Sequence, residues 1–263
     1  MLLPCVLLLL AAPGRAQSPQ LSHAKIELIV EQSTAPAGKP LWVGLLFRLD
    51  PGWHIYWQNP GDSGQPPSVQ WHVPPGYSIG AIRWPQPVRL ISGTVVDYGY
   101  EGQPLLMAPV TAASVARARA MPRVSGDVKY IVCREMCIPG KAHLTLATPD
   151  ASDQARWREL FEQARQQLPQ PAPPGWKLSA ESDKSQFILT VRGAPHVGGA
   201  TFFPLDADHI DNASKQEFVP TANGFRLTMK KSDLLVKPVA TLRGLIVLGA
   251  GRSFEISAPV VSR

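Results

Sequence analysis

Between Asp127 and Leu146 the chain reads DVKYIVCREMCIPGKAHLTL, an alternating segment interrupted by two cysteines four residues apart. Val128, Tyr130 and Val132 fall on one face and Asp127 and Lys129 on the other, and Leu144 and Leu146 resume the alternation after Gly140. A period of two marks half-buried strands, because successive side chains of a strand point to opposite faces. On one straight strand Cys133 and Cys137 would stand about 13 Å apart, whereas a disulfide brings Cα atoms to roughly 4.4–6.8 Å. The chain must therefore turn between them if they bond. Such a turn puts Arg134, Glu135 and Met136 at an exposed tip. Pro139, which cannot donate a ladder hydrogen bond, suits the mouth of the resulting hairpin.

The compartment matters for what these sulfurs can do. Residues 1–16, MLLPCVLLLLAAPGRA, carry a short apolar run from Cys5 to Ala12 and small residues at Gly14 and Ala16, the pattern of a secretory signal cleaved after Ala16. The run is too short to span a bilayer, and no later stretch reaches that length. The mature chain is expected to be soluble and exported, with Cys133 and Cys137 as its remaining cysteines. In an oxidising compartment such a pair can form a disulfide. A chain long enough for two ordinary domains does not need one disulfide to compensate for a small core. The net charge of +6 is spread out, with no basic block and no repeating aromatic pattern, which argues against nucleic-acid binding.

Ahead of the cysteines, Ala24–Val30 and Leu41–Leu49 are rich in strand formers, and Tyr77–Ile82, Thr94–Val96 and Leu105–Thr111 are further strand candidates. Between them lies a long Pro/Gly-rich passage, PGWHIYWQNPGDSGQPPSVQWHVPPG, whose composition disfavours helix. Turn residues recur about every ten positions, and alternating β-α units are missing. The expected class is all-β, an immunoglobulin-like antiparallel sandwich.

Three segments of this region, GWHIYWQNPGDSGQPPSVQW, VVDYGYEGQPLLMAPV and VKYIVCREMCIPGKAHLTL, resemble in order and spacing the periplasmic N-terminal domain of the DsbD-type thiol:disulfide interchange proteins, most closely the ScsB-like branch. The resemblance covers about residues 22–148. It implies an immunoglobulin-like domain in which Cys133 and Cys137 cycle between dithiol and disulfide. Electrons would come from a thioredoxin-like or membrane-embedded donor protein and pass to periplasmic thiol proteins, with no cofactor. It also implies a cap loop over the pair at Asp97, Tyr98, Gly99 and Tyr100. Better-known members carry Phe before the Tyr-Gly step where this chain has Asp97, so Tyr98 or Tyr100 is expected to supply the shielding ring. Family members commonly continue into a membrane domain and a thioredoxin-like domain. This sequence shows neither, and the expected donor is another protein.

Three chemistries stay open for the pair: redox exchange, a structural disulfide, or metal ligation. In exchange, Cys137 is the expected point of attack and Cys133 the resolving sulfur. Arg134 and Glu135 would act on a thiolate with opposite signs, so no net shift is expected. Met136 and His143 would join the cysteines in a set suited to Cu(I), although two cysteines without a second pair are no zinc signature. Trp53, His54, Tyr56 and Trp57 form a possible partner surface or cap, the alternative being aromatics that close one end of the sandwich. His54 and His72 read as ordinary polar positions. Asp97 and Glu101 read as proton acceptors near the pair or as solvated loop carboxylates. No hydrolase elbow, phosphate-cradling loop or H-E-x-x-H is present.

After Asp150 the period changes. Trp157, Leu160, Phe161, Ala164 and Leu168 lie on one face of a helix that Ser152 or Asp153 would cap and Pro169 would stop. With PQPAPPG, a stiff Pro-rich boundary, it makes a linker over residues 150–175. Residues 176–263 return to strand signals at Lys184–Val191, Ala200–Phe203, Gly224–Met229, Thr241–Leu248 and Ser253–Ser257, with Asn223-Gly224 as a hairpin turn. They are expected to form a second, smaller β-sandwich. In it Asp206, Asp208, His209 and Asp211 are a polar cluster that reads as a metal site or, more simply, a solvated loop.

Overall fold

The computed structural model describes residues 22–32, 39–113, 121–146, 148–249 and 251–262, so the secretory signal expected over residues 1–16 lies outside the described residues. The first half of the chain contributes β1 (Ala24–Val30), β2 (Leu41–Leu49), β3 (His54–Gly61), β4 (Ser68–His72), β5 (Tyr77–Ile79), β6 (Val88–Ser92), β7 (Val95–Glu101), β8 (Leu105–Ala112), β9 (Ser125–Cys133) and β10 (Cys137–Thr145). One sheet has the order β1-β2-β8-β5. The other runs β10-β9-β3-β7-β6, with β4 also paired to β9. Every pairing in both sheets is antiparallel. The inner faces close on a core that includes Leu28, Val43, Leu45, Phe47, Ile55, Trp57, Val128 and Val132. This is the antiparallel sandwich expected from the alternation. The aromatic Pro/Gly-rich passage is not loop throughout, because it supplies β3 and β4.

The run LWVGLLF in β2 is buried almost without alternation, since its second face is covered as well. That cover is α1 (Ala151–Gln166), which packs Trp157, Phe161 and Ala164 on the sandwich. A Cβ at Gly44 would stand 3.0 Å from Phe161 Cζ, so the helix lies directly on the strand. The N-cap is Asp150, whose carboxylate accepts the Asp153 N–H at 2.8 Å, rather than Ser152 or Asp153. The helix ends at Gln166, before Pro169.

The Pro-rich linker is not free of the second unit. It contributes a short β11 (Gln170–Pro171) that pairs parallel to the last strand. There follow β12 (Lys177–Ser182), β13 (Gln186–Arg192), β14 (Ala200–Pro204), β15 (Glu217–Thr221), β16 (Gly224–Lys230), β17 (Thr241–Leu248) and β18 (Ser253–Ser262), in the order β14-β17-β18-β12-β13-β16-β15. The expected two layers are joined through β18. Its first part pairs antiparallel with β17 and its last residues, Val260–Ser262, pair parallel with β12. The sheet thus curls into a nearly closed, barrel-like layer around Phe187, Leu189, Phe202, Phe225, Leu227, Leu242 and Ile246.

Alternation along β14 also ties the two units together. Phe202 points into the second core, whereas Phe203 joins the first, edge-on to Tyr98 at 5.1 Å and to Trp57 at 6.4 Å. Asn59 Nδ2 donates to the Pro204 carbonyl at 2.8 Å across the same junction.

Candidate functional site

Strands β9 and β10 pair in register from Ser125↔Thr145 to Cys133↔Cys137, and the two cysteines form a disulfide with Cα atoms 4.2 Å apart. The turn between them exposes Arg134, Glu135 and Met136 and is closed by the Arg134 N–H donating to the Met136 carbonyl at 3.1 Å. Pro139 lies within β10, not outside the ladder, and is tolerated there because β10 is the edge strand. The two sulfur-bearing residues are not equivalent. Cys133 is buried, at 2% exposure, and Cys137 is exposed.

Below the pair stands Tyr56 of β3. Its hydroxyl donates to Cys133 Sγ at 2.9 Å and lies 3.7 Å from Cys137 Sγ. The ring is held against Gly64, where a Cβ would be 2.1 Å from Tyr56 Cζ; the backbone there has φ +73°, which glycine adopts freely. Burial raises the phenol's pKa above 10, so the hydroxyl keeps its proton at neutral pH and acts as a donor. A cleft of about 480 Å³ opens beside the sulfurs, bounded by His54, Tyr56, Asp97, Glu101, Arg134 and the β6–β7 hairpin. His54 is half-buried, and desolvation lowers its pKa below 6.5 against the pull of Asp97 and Glu101. Its Nε2 has no hydrogen-bond partner among the described residues. Asp97 is no solvated loop carboxylate: it is 7% exposed and accepts from the Ser63 N–H and Ser63 hydroxyl, both at 2.9 Å.

The expected cap residues are separated by the alternation of β7. Asp97 faces the cleft, whereas Tyr98 is fully buried on the other side, with its hydroxyl donating to Asn212 Oδ1 at 2.8 Å. Tyr100 is turned away to the Pro85 carbonyl at 2.7 Å. Neither ring covers the disulfide. Gly99 is needed because β3 runs close by: a Cβ there would sit 2.2 Å from the Ile55 carbonyl oxygen.

The four residues of the expected aromatic partner surface lie in different settings. Trp53 is buried and stacked on His23 at 3.8 Å, Trp57 is core, and Tyr56 is a sulfur contact. Of the four residues, His54 alone lines the cleft without being fully buried. The copper set does not assemble. His143 and His72 both bond Asp127, at 2.7 Å each, and Asp127 is six residues from the sulfurs, about 20 Å along the strand. Among the described residues no group of three or more His, Cys, Asp or Glu is placed to hold a metal. Asp206 is paired with Arg243, and Asp211 with Lys230 at 2.8 Å. Ser63 and Gly64 were not singled out from the sequence, although the DSG step after a strand-like run was a visible turn signal. Asn212 carries no local signal at all.

Residues 27–149 match the family described as "Thiol:disulfide interchange protein DsbD, N-terminal". The fold is similar to the crystal structure of the N-terminal periplasmic domain of ScsB from Proteus mirabilis, with a TM-score of 0.67, 16% identity, and coverage of 94% of this chain and 97% of that one. The periplasmic chaperone SfaE aligns over 91% of this chain and 100% of its own, at 9% identity and a TM-score of only 0.21. No curated protein matches the chain in sequence. Residues 27–149, carrying the Cys133–Cys137 disulfide and the cleft beside it, belong to the DsbD N-terminal domain family.

Proposed function

We propose that the chain is a periplasmic thiol:disulfide exchange protein working through Cys133 and Cys137. The observation that carries this reading is the asymmetry of the pair: an exposed Cys137 at a hairpin tip, joined to a buried Cys133 that accepts the Tyr56 hydroxyl. In the oxidised protein an incoming thiolate attacks Cys137 Sγ. The Cys133–Cys137 bond breaks, its electron pair stays on Cys133 as a thiolate, and Tyr56 stabilises that charge. A second thiol of the donor then attacks its own sulfur in the mixed disulfide and releases the reduced pair. Running the other way, the Cys137 thiolate attacks a partner disulfide and Cys133 resolves the adduct, so that two electrons leave with the partner. Neutral His54 and the Asp97 and Glu101 carboxylates stand beside the cleft to accept and return the thiol protons.

The partner class follows from the rim. Ile91, at 67% exposure, and Val95 line the cleft that the sulfurs share, and Met136, at 66% exposure, precedes Cys137 in the hairpin turn. Exposed aliphatic side chains grouped round a reactive centre favour a protein partner over a small thiol. Donor and acceptor are accordingly proposed to be thiol proteins, the donor thioredoxin-like or membrane-embedded. Among the described residues no helix is long and apolar enough to cross a membrane.

The decisive measurement is the equilibrium potential of the couple in thiol redox buffers. A value between about −120 and −270 mV, the range of exchange proteins, is expected, and one below about −300 mV would make the pair a structural staple. Order of attack is read by trapping: Cys133→Ser should accumulate a mixed disulfide on Cys137. Accumulation in Cys137→Ser instead would reverse the assignment.

A further inference from the structure

The wall of the cleft that faces the sulfurs is the β6–β7 hairpin, through Leu90, Ile91, Ser92, Val95 and Asp97. Behind this wall stands the second β unit. Asn212, in the connection between β14 and β15, grips it with three polar atoms. Its backbone carbonyl accepts from Arg89 Nη2 at 2.6 Å, its Oδ1 accepts the Tyr98 hydroxyl at 2.8 Å, and its Nδ2 donates to Asp62 Oδ1 at 2.7 Å. Asp62 is itself bonded to β7, accepting the Val96 N–H through Oδ2 at 2.7 Å and donating its own N–H to the Val96 carbonyl at 3.2 Å. Tyr98 and Asp97 are adjacent on a strand, so the backbone position that seats Tyr98 against Phe203 and Asn212 also sets Asp97 on the cleft side.

Building on the exchange reading, we propose that Asn212 is a positioning residue for the redox couple: it fixes the β6–β7 hairpin as the wall of the cleft beside Cys133–Cys137 and so limits how readily an attacking group reaches the sulfurs from that side. It acts through Arg89, Tyr98 and Asp62. The role expected of a cap loop is thereby divided in this chain. The hairpin forms a wall beside the sulfurs, and the second β unit holds that wall in place. Removing the Asn212 side chain loses two of the three bonds, and the displaced hairpin should become about tenfold more populated.

The test uses the full oxidised chain and a water-soluble phosphine, which reduces any disulfide it can reach. Asn212→Ala should be reduced about tenfold faster than the parent, and Tyr98→Phe, which loses one bond, about threefold faster. The equilibrium potential should be unchanged in both, since the position of the wall affects access and not the relative stability of dithiol and disulfide. Asn59→Ala breaks the inter-unit bonds to the Pro204 and Asp206 carbonyls and a local bond from the Gly61 N–H, none of them made by a residue of β6 or β7, and should leave the rate at the parent value. Equal rates for the parent and Asn212→Ala would overturn the assignment. So would equal acceleration by Asn59→Ala, which would mean general loosening of the junction. If Asn212→Ala fails to fold, Tyr98→Phe decides by the same comparison. A potential in the structural range would sink the exchange reading without touching this rate comparison, so the two can fail separately.

Discussion

Replacing Tyr56 by Phe removes a single oxygen from the site. The ring is enclosed, with Gly64 against it, so Phe fills the same space and the loss is that of the hydroxyl, which bonds Cys133 Sγ at 2.9 Å and Ser63; the bond to the sulfur is the one that changes with the redox state. A hydrogen bond to a neutral partner contributes about 0.5–1.5 kcal/mol and one to a charged partner about 1.5–3 kcal/mol, so the phenol favours a Cys133 thiolate over the disulfide by about 1–1.5 kcal/mol. Stabilising the reduced form raises a reduction potential, and its loss must lower it. With 30 mV equivalent to about 1.4 kcal/mol for this two-electron couple, Tyr56→Phe should be more reducing by about 20–30 mV. The same energy raises the Cys133 pKa by about one unit. Because the effect depends on the thiolate, it should be largest above the usual thiol pKa of about 8.5 and fade at lower pH. Redox titration at several pH values, with the pH dependence of Cys133 alkylation in the reduced protein, reads both quantities. A folded variant with unchanged potential and unchanged alkylation profile, or with a higher potential, would refute the argument.

Two further outcomes concern stability. Phe161→Ala should cost about 3–5 kcal/mol in urea unfolding, because the side chain is fully buried between α1 and the outer face of β2; a cost below about 1 kcal/mol would mean that the helix does not hold the sheet. Acid should act in two steps. Burial depresses the pKa of His54 and His209 below 6.5, so the unfolded chain binds more protons below that pH and stability should decline as pH falls through it. Asp211, pulled down to about 2 chiefly by its hydrogen bond from Lys230, contributes stability that is present above pH 3.8 and lost as pH falls towards 2. Thermal melts across pH check both steps, and Lys230→Met should weaken the lower one selectively.

Local periodicity was enough to determine much of this protein. Strands β1 and β2, the cysteine hairpin and the apolar stripe of α1 are legible because the repeats of a strand and of a helix depend only on neighbouring residues. The exposed tip followed from the same pattern on the condition that the two cysteines bond, which the structure supplies. What surrounds the sulfurs did not. The aromatic Pro/Gly-rich passage becomes β3 and β4 because distant strands β7 and β9 offer it ladders, a circumstance that propensity cannot register. Tyr56 meets Cys133 across 77 residues and Asn212 meets Tyr98 across 114, distances in sequence at which spacing carries no information. The cap tyrosines face away from the disulfide for a related reason: which face of β7 is inward depends on what packs there, and Phe203 from the second unit takes Tyr98. Short-range steric repeats chose the elements, whereas tertiary packing alone chose which side chains meet the sulfurs.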